Sequence, residues 1–137
     1  MANEHTLVLQ KTAPVPFTVS DGTGIEKGAV LKMTSPRTAV LASADNDLIA
    51  GIAASEKSAS DGRTSLAVIT GPGDEFVCTA SGTITVGDSI GTITGYTNYV
   101  ASNNNTADLS GIKRLGFALQ SVTNGQSVRY RLDTGTN

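Results

Sequence analysis

The chain has one imidazole, His5, and one thiol, Cys78. Either could serve as base or nucleophile only beside a partner set that fixes its direction and charge. His5 falls in a polar start where no rigid surroundings are expected, and Cys78 in the apolar run Phe76-Val77-Cys78 reads as a small buried side chain. Together they cannot make a zinc site, and one cysteine makes no intramolecular disulfide, so redox chemistry does not fix the compartment. Gly22-Thr-Gly24-Ile-Glu-Lys-Gly28 has the glycines of a phosphate loop, but no Gly-Lys-Ser/Thr follows and no helix opens, so a turn is expected. Asp45-Asn46-Asp47 could catch calcium but lacks the glycine and closing glutamate of a calcium loop, which leaves a solvated hairpin tip. Asp74 and Glu75 are adjacent, would point to opposite faces of a strand, and read as charges guarding an edge. Lys113-Arg114 and Arg129-x-Arg131 are the local basic groups. Arg129 and Arg131 would share one strand face, as a solvent face or half of an inter-subunit ion-pair set. Asn104-Asn105-Thr106 matches a glycosylation acceptor, without a secretory signal to give it meaning. Tyr96, Tyr99 and Asp88 could line a pocket, the weakest of the readings. No catalytic residue, metal or cofactor is expected, and the chain reads as not an enzyme.

The elements that would carry these residues follow from composition. In 137 residues, 39% are hydrophobic and 16% charged, Ser and Thr fill 31 positions and Gly another 15. That length suits one domain, and the β-branched, Gly-rich, Glu- and Lys-poor mixture favours short strands over helices. The net charge of −2 is too small and of the wrong sign to gather phosphates, so no nucleic-acid partner is expected. With no Trp, three Tyr and three Phe, stacking platforms are thin. The start Met1-Ala-Asn-Glu-His5-Thr has no signal-peptide features, and no run approaches about 18 apolar residues. A soluble, cytosolic product and no membrane partner are the expectation.

Strands are expected at Ala29–Met33, Thr38–Ala42, Leu48–Ala53, Thr64–Thr70, Glu75–Thr79, Ser89–Thr94, Tyr99–Ala101, Arg114–Gln120 and Ser127–Leu132. Asp21-Gly22, Asp61-Gly62, Gly71-Pro72-Gly73 and Asn124-Gly125 supply the turns. At most one short helix is expected, near Asn103–Gly111. Residues 1–20, with Leu7-Val8-Leu9 and Ala13-Pro14-Val15-Pro16-Phe17, read as an extended N-terminal arm, because two prolines one residue apart resist helix and central strand. Residues 21–137 then form one all-β domain, a small β-barrel or β-tulip-like sandwich.

A weak internal duplication runs over about 25–71 and 84–135. Ile25-x-x-Gly28 echoes Ile84-x-x-Gly87, and Gly51-Ile-Ala-Ala-Ser55 with Asp61-Gly62 echoes Gly116-Phe-Ala-Leu-Gln-Ser121 with Asn124-Gly125. Strand alternation gives an expected core of Val30, Leu31, Leu48, Ile52, Leu66, Val68, Phe76, Ile84, Ile90, Ile93, Leu115, Phe117, Val128 and Tyr130. Without a chemical site, such an object works by contact. The arm could add a strand to a neighbour's sheet edge through Thr6, Leu7, Val8, Leu9, Pro14, Pro16 and Phe17.

Ala13-Pro14-Val15-Pro16, Gly24-Ile25-Glu26-Lys27-Gly28-Ala29-Val30-Leu31, Gly51-Ile52-Ala53, Thr85-Val86-Gly87-Asp88 and Leu115-Gly116-Phe117-Ala118-Leu119 resemble the capsid cement or head decoration proteins of tailed bacteriophages. The resemblance implies a β-rich homotrimer on the outer surface of the phage head, at local three-fold positions of the virion, with the major capsid protein as partner. It would clamp that lattice against internal DNA pressure. The alternative is a host-recognition or glycan-binding module displayed on the virion.

Overall fold

The structure, a computed structural model, describes residues 3–45, 47–103 and 114–134. Among these the chain forms strands and turns and no helix: β1 (Thr6–Leu9), β2 (Val15–Thr18), β3 (Val30–Ser35), β4 (Thr38–Leu41), β5 (Ile49–Ala53), β6 (Ser65–Ile69), β7 (Glu75–Thr79), β8 (Ser89–Gly91), β9 (Ala101–Ser102), β10 (Gly116–Ala118) and β11 (Ser127–Leu132). The helix considered near Asn103–Gly111 and the Asn104-Asn105-Thr106 triplet lie outside the described residues.

Strands β2-β4-β3-β5-β6 close into a barrel, sealed by a parallel β2–β4 pair at Thr18 and Thr38. The other six form a sheet in the order β1-β7-β11-β10-β8-β9. The protein is thus an all-β barrel and sheet. The barrel interior is filled by Phe17, Val19, Ile25, Leu31, Leu66 and Val68 with small alanines between them. A second cluster holds Phe76, Ile84, Ile90, Leu115, Val128 and Tyr130 from the sheet, and also Val30, Ile49, Ile52 and Ile69 from the barrel. The barrel wall is therefore apolar on both faces where the sheet covers it, which explains the unbroken burial of β5.

The two lobes repeat each other bond for bond. Ile25 and Lys57 exchange N–H···O bonds of 2.9 and 2.8 Å, and Ile84 and Val122 exchange bonds of 3.0 and 2.9 Å. Gly28 N donates to Ala53 O at 2.9 Å, and Gly87 N to Ala118 O at 2.8 Å. Ala53 N donates to Ala29 O and Ala118 N to Asp88 O, both at 2.9 Å. Gly51 and Gly116 occupy the same place, where an added Cβ would fall 2.3 Å from Ile69 O and 2.0 Å from Arg131 O respectively. Glycine is needed at both because the next strand's carbonyl takes the space of a side chain. The sheet lobe even keeps a trace of the barrel's closure, a parallel bridge between Ala80 and Val100.

The segment expected to stand apart as an arm is woven into the body. β1 pairs antiparallel with β7, Thr6 against Val77 and Leu7 against Phe76, and β2 pairs with β6 over Val15–Val68 to Thr18–Ser65. Pro16 is tolerated because its carbonyl, which accepts from Arg37 Nη2 at 2.8 Å, faces away from β6. Its missing N–H therefore costs no ladder bond. Three expected core residues differ. Leu48 is 37% exposed just ahead of β5, and Ile93 and Phe117 are only partly buried.

Candidate functional site

Strand β1 is the end strand of the six-stranded sheet, so one of its edges has no ladder partner among the described residues. Val8 and Leu9 are 43% and 41% exposed, Thr6, Pro14 and Pro16 are exposed, and Leu7 packs partly buried against the core. An open edge bearing aliphatic side chains can accept another strand through main-chain hydrogen bonds. Phe17 does not belong to that surface: its ring is buried inside the barrel, because β2 presents alternate residues inward and Phe17 takes the inward position.

The N-terminal segment is pinned by a buried polar cluster at the seam of the lobes. His5 N donates to Gly28 O at 2.8 Å. The His5 ring lies 2.8 Å from Asn98 O through Nε2 and 2.6 Å from the Tyr130 hydroxyl through Nδ1. A carbonyl can only accept, so Nε2 carries the proton and the Tyr130 hydroxyl donates to Nδ1. Burial lowers the His5 pKa from 6.5 to about 4, against the opposing pull of the Asn98 carbonyl. Burial also pushes the Tyr130 hydroxyl well up, with nearby Cys78 adding to it. Both groups are neutral at neutral pH, as the bond between them requires. Asn98 Oδ1 meanwhile accepts from Val30 N at 3.0 Å, so one loop of the sheet lobe holds both the N-terminal segment and β3. His5 thus has the fixed surroundings that its place in the sequence did not suggest, but they hold it as a structural bridge.

Asp74 is likewise buried and not an edge charge. Its carboxylate accepts from Lys11 N at 2.6 Å, Thr12 N at 3.1 Å and Thr12 Oγ1 at 2.7 Å, pinning the link from β1 to β2. Glu75 faces the other way and pairs with Arg129 at 2.8 Å. That ion pair lies within one chain, so Arg129 is engaged without a partner subunit. Arg131 and Arg114 both approach the Phe117 ring, their guanidinium carbons 6.0 and 4.7 Å from its centroid.

The remaining motifs are also structural. The Gly22–Gly28 stretch wraps Lys57, whose buried Nζ donates to the carbonyls of Asp21, Thr23 and Ser58 at 2.7, 3.1 and 3.1 Å and lies 3.5 Å from Asp61. Sequence reading passed over Lys57; the two aspartates that immediately precede the turn glycines, Asp21 before Gly22 and Asp61 before Gly62, are the signal that a cation sits between them. Asp45 and Asp47 bond to Thr94 and Thr92 and dock the β4–β5 turn on the sheet lobe. Cys78 is buried, and its thiol pKa is pushed up by that burial, so it is no nucleophile. Tyr96 and Tyr99 form a tilted pair with centroids 5.6 Å apart, while Asp88 accepts locally from Thr85 N. Among the described residues no three His, Cys, Asp or Glu side chains gather as a metal site.

No protein-family model matches this chain, and no curated protein matches it. Among solved structures it is similar to the N base of the head fiber gp8.5 of bacteriophage phi29, with a TM-score of 0.54 and 15% sequence identity. The match covers 90% of this chain and 96% of that one. At that identity the likeness is one of fold, and it takes in both lobes.

Proposed function

We propose that this protein is a non-enzymatic structural component of a tailed-bacteriophage head, a homotrimer that binds the outer surface of the shell and stabilises the lattice of the major capsid protein. The observation that carries this reading is the near end-to-end likeness of fold to the N base of a phage head fiber, reached over 90% of the chain at 15% identity. A base that seats a fiber on a head and a cap that clamps a shell pose the same physical problem, a rigid β body with contact surfaces for a neighbouring lattice. The physical features agree with that task. His5, Lys57, Asp74, Glu75 and Arg129 are spent on holding segments together, and the surface keeps exposed aliphatic side chains on a strand edge that has no ladder partner among the described residues. Many identical sites on a lattice let each contact be modest while the array supplies avidity.

The test is co-sedimentation with empty, expanded heads of the phage that encodes the protein, prepared without it. Saturable binding with a plateau near a fixed number of copies per shell subunit is expected, together with a higher temperature of shell disruption. Sedimentation of the heads with the protein left in the supernatant would refute the reading. Saturable binding to host cells or an oligosaccharide, with none to heads, would instead establish the displayed host-recognition module.

A further inference from the structure

The duplication provides an internal comparison of two equivalent grooves. In the barrel lobe the groove floor is Lys27, Gly28, Ala53, Ala54 and Ile69, and it is roofed by His5 and Leu7 of the N-terminal segment, leaving a cavity of about 170 Å³. An added Cβ on Gly28 would lie 2.3 Å from His5 O, which shows how closely that segment is seated. In the sheet lobe the matched backbone bonds and strand registers place Val86, Gly87, Ala118, Leu119 and Arg131 at the corresponding positions, with Phe117, the equivalent of Ile52, beside them. These residues line a shallow apolar depression of about 310 Å³. Nothing roofs it among the described residues: a Cβ on Gly87 would meet no atom within 4 Å, although Gly28 and Gly87 share the same φ of 90°. Val86 is 58% and Leu119 36% exposed. One N-terminal segment cannot roof two grooves.

We propose that the sheet-lobe groove is a docking site for an extended polypeptide segment of the shell protein, laid against Gly87 as residues 4–7 are laid against Gly28. This rests on the head-surface reading and names the contact. The chemistry of the occupant follows from the substitutions between lobes. Ile69 is replaced by Arg131, and among the described residues no carboxylate lies within ion-pair distance of that guanidinium, whereas Arg129 and Arg114 have Glu75 and Asp133. The segment therefore offers an aliphatic side chain to Val86, Phe117 and Leu119 and a carboxylate to Arg131. A two-fold contact between copies of this face would set each Arg131 against its like, which disfavours the same face of a second copy as occupant.

The experiment is the same co-sedimentation with empty expanded heads, run on the full-length wild type, Val86→Asp, Leu119→Asp and Arg131→Glu, each first shown to keep the wild-type denaturation midpoint. Because Val86 and Leu119 are exposed, the substitutions leave the core untouched. At least ten-fold weaker head binding by all three variants is expected, with the oligomeric state unchanged by light scattering. Wild-type binding retained by the variants would overturn the groove assignment and leave the head-surface reading standing. Failure of the wild type to bind would refute that reading and the groove with it. A change of oligomeric state on Leu119→Asp would overturn the proposal by making the groove a contact between copies.

Discussion

His5 makes the stability of this protein sensitive to mild acid through one identifiable group. In the unfolded chain its imidazole takes up a proton near pH 6.5, whereas burial holds the folded value at about 4. A lowered folded pKa means that the unfolded state binds the extra proton first, so this stabilisation is complete above pH 6.5 and is lost as pH falls toward 4. With 1.36 kcal/mol per unit, the loss between pH 7.5 and pH 4.5 is about 2.5 kcal/mol. Carboxylates also contribute an acid slope, so the measurement is the difference between wild type and His5→Gln in urea denaturation at the two pH values. At pH 7.5 the variant is the less stable, because it cannot repeat both the 2.6 Å bond to Tyr130 and the 2.8 Å bond to Asn98 O with the same ring shape. At pH 4.5 that gap narrows by about 2.5 kcal/mol. Since the chain has one histidine, its NMR titration gives the folded pKa without assignment. A folded midpoint near 6.5, or a gap independent of pH, would refute the reasoning.

Further outcomes follow from the same contacts. Gly28→Ala and Gly87→Ala meet the same φ of 90°, and each should cost about 1 kcal/mol of backbone strain. Gly28→Ala should cost about 1–3 kcal/mol more, because only there does the new methyl meet the N-terminal segment, and equal denaturation midpoints for the two variants would contradict this. Lys57→Met leaves the carbonyls of Asp21, Thr23 and Ser58 without their donor and should lower stability by about 2–3 kcal/mol in thermal unfolding. Arg129→Ala, at a half-exposed ion pair, should change it by less than about 1 kcal/mol.

The strands were legible in the sequence wherever alternation and turn residues agree within a few positions. β7 and β11 lie at Glu75–Thr79 and Ser127–Leu132 as read, and β3 to β6 differ at their ends by one or two residues. The Gly51 and Gly116 phrases were legible too, because a close carbonyl leaves a mark in residue type. What escaped is what distant partners decide. The first twenty residues gave no sign of their ladders with β7 and β6, since those partners lie some fifty to seventy positions on. His5 is fixed by Tyr130, 125 positions away, and Asp74 by Lys11 and Thr12, more than sixty positions before it. Local composition made one look mobile and the other exposed. Phe117 shows a third cause. Its place in the strand is that of Ile52, but Ile52 packs in the cluster shared by sheet and barrel, whereas Phe117 lines the uncovered depression and ends half-buried. That mismatch is the open groove, and no local period carries it.

The central claim, a structural place on the outside of a phage head, is tested most directly by counting. Quantitative mass spectrometry of purified virions compares this chain with the most abundant shell protein. A ratio near one copy per shell subunit, removed from intact heads by surface proteolysis or dissociation without release of DNA-packaging components, is the predicted result. Absence of the chain from purified virions would contradict the account.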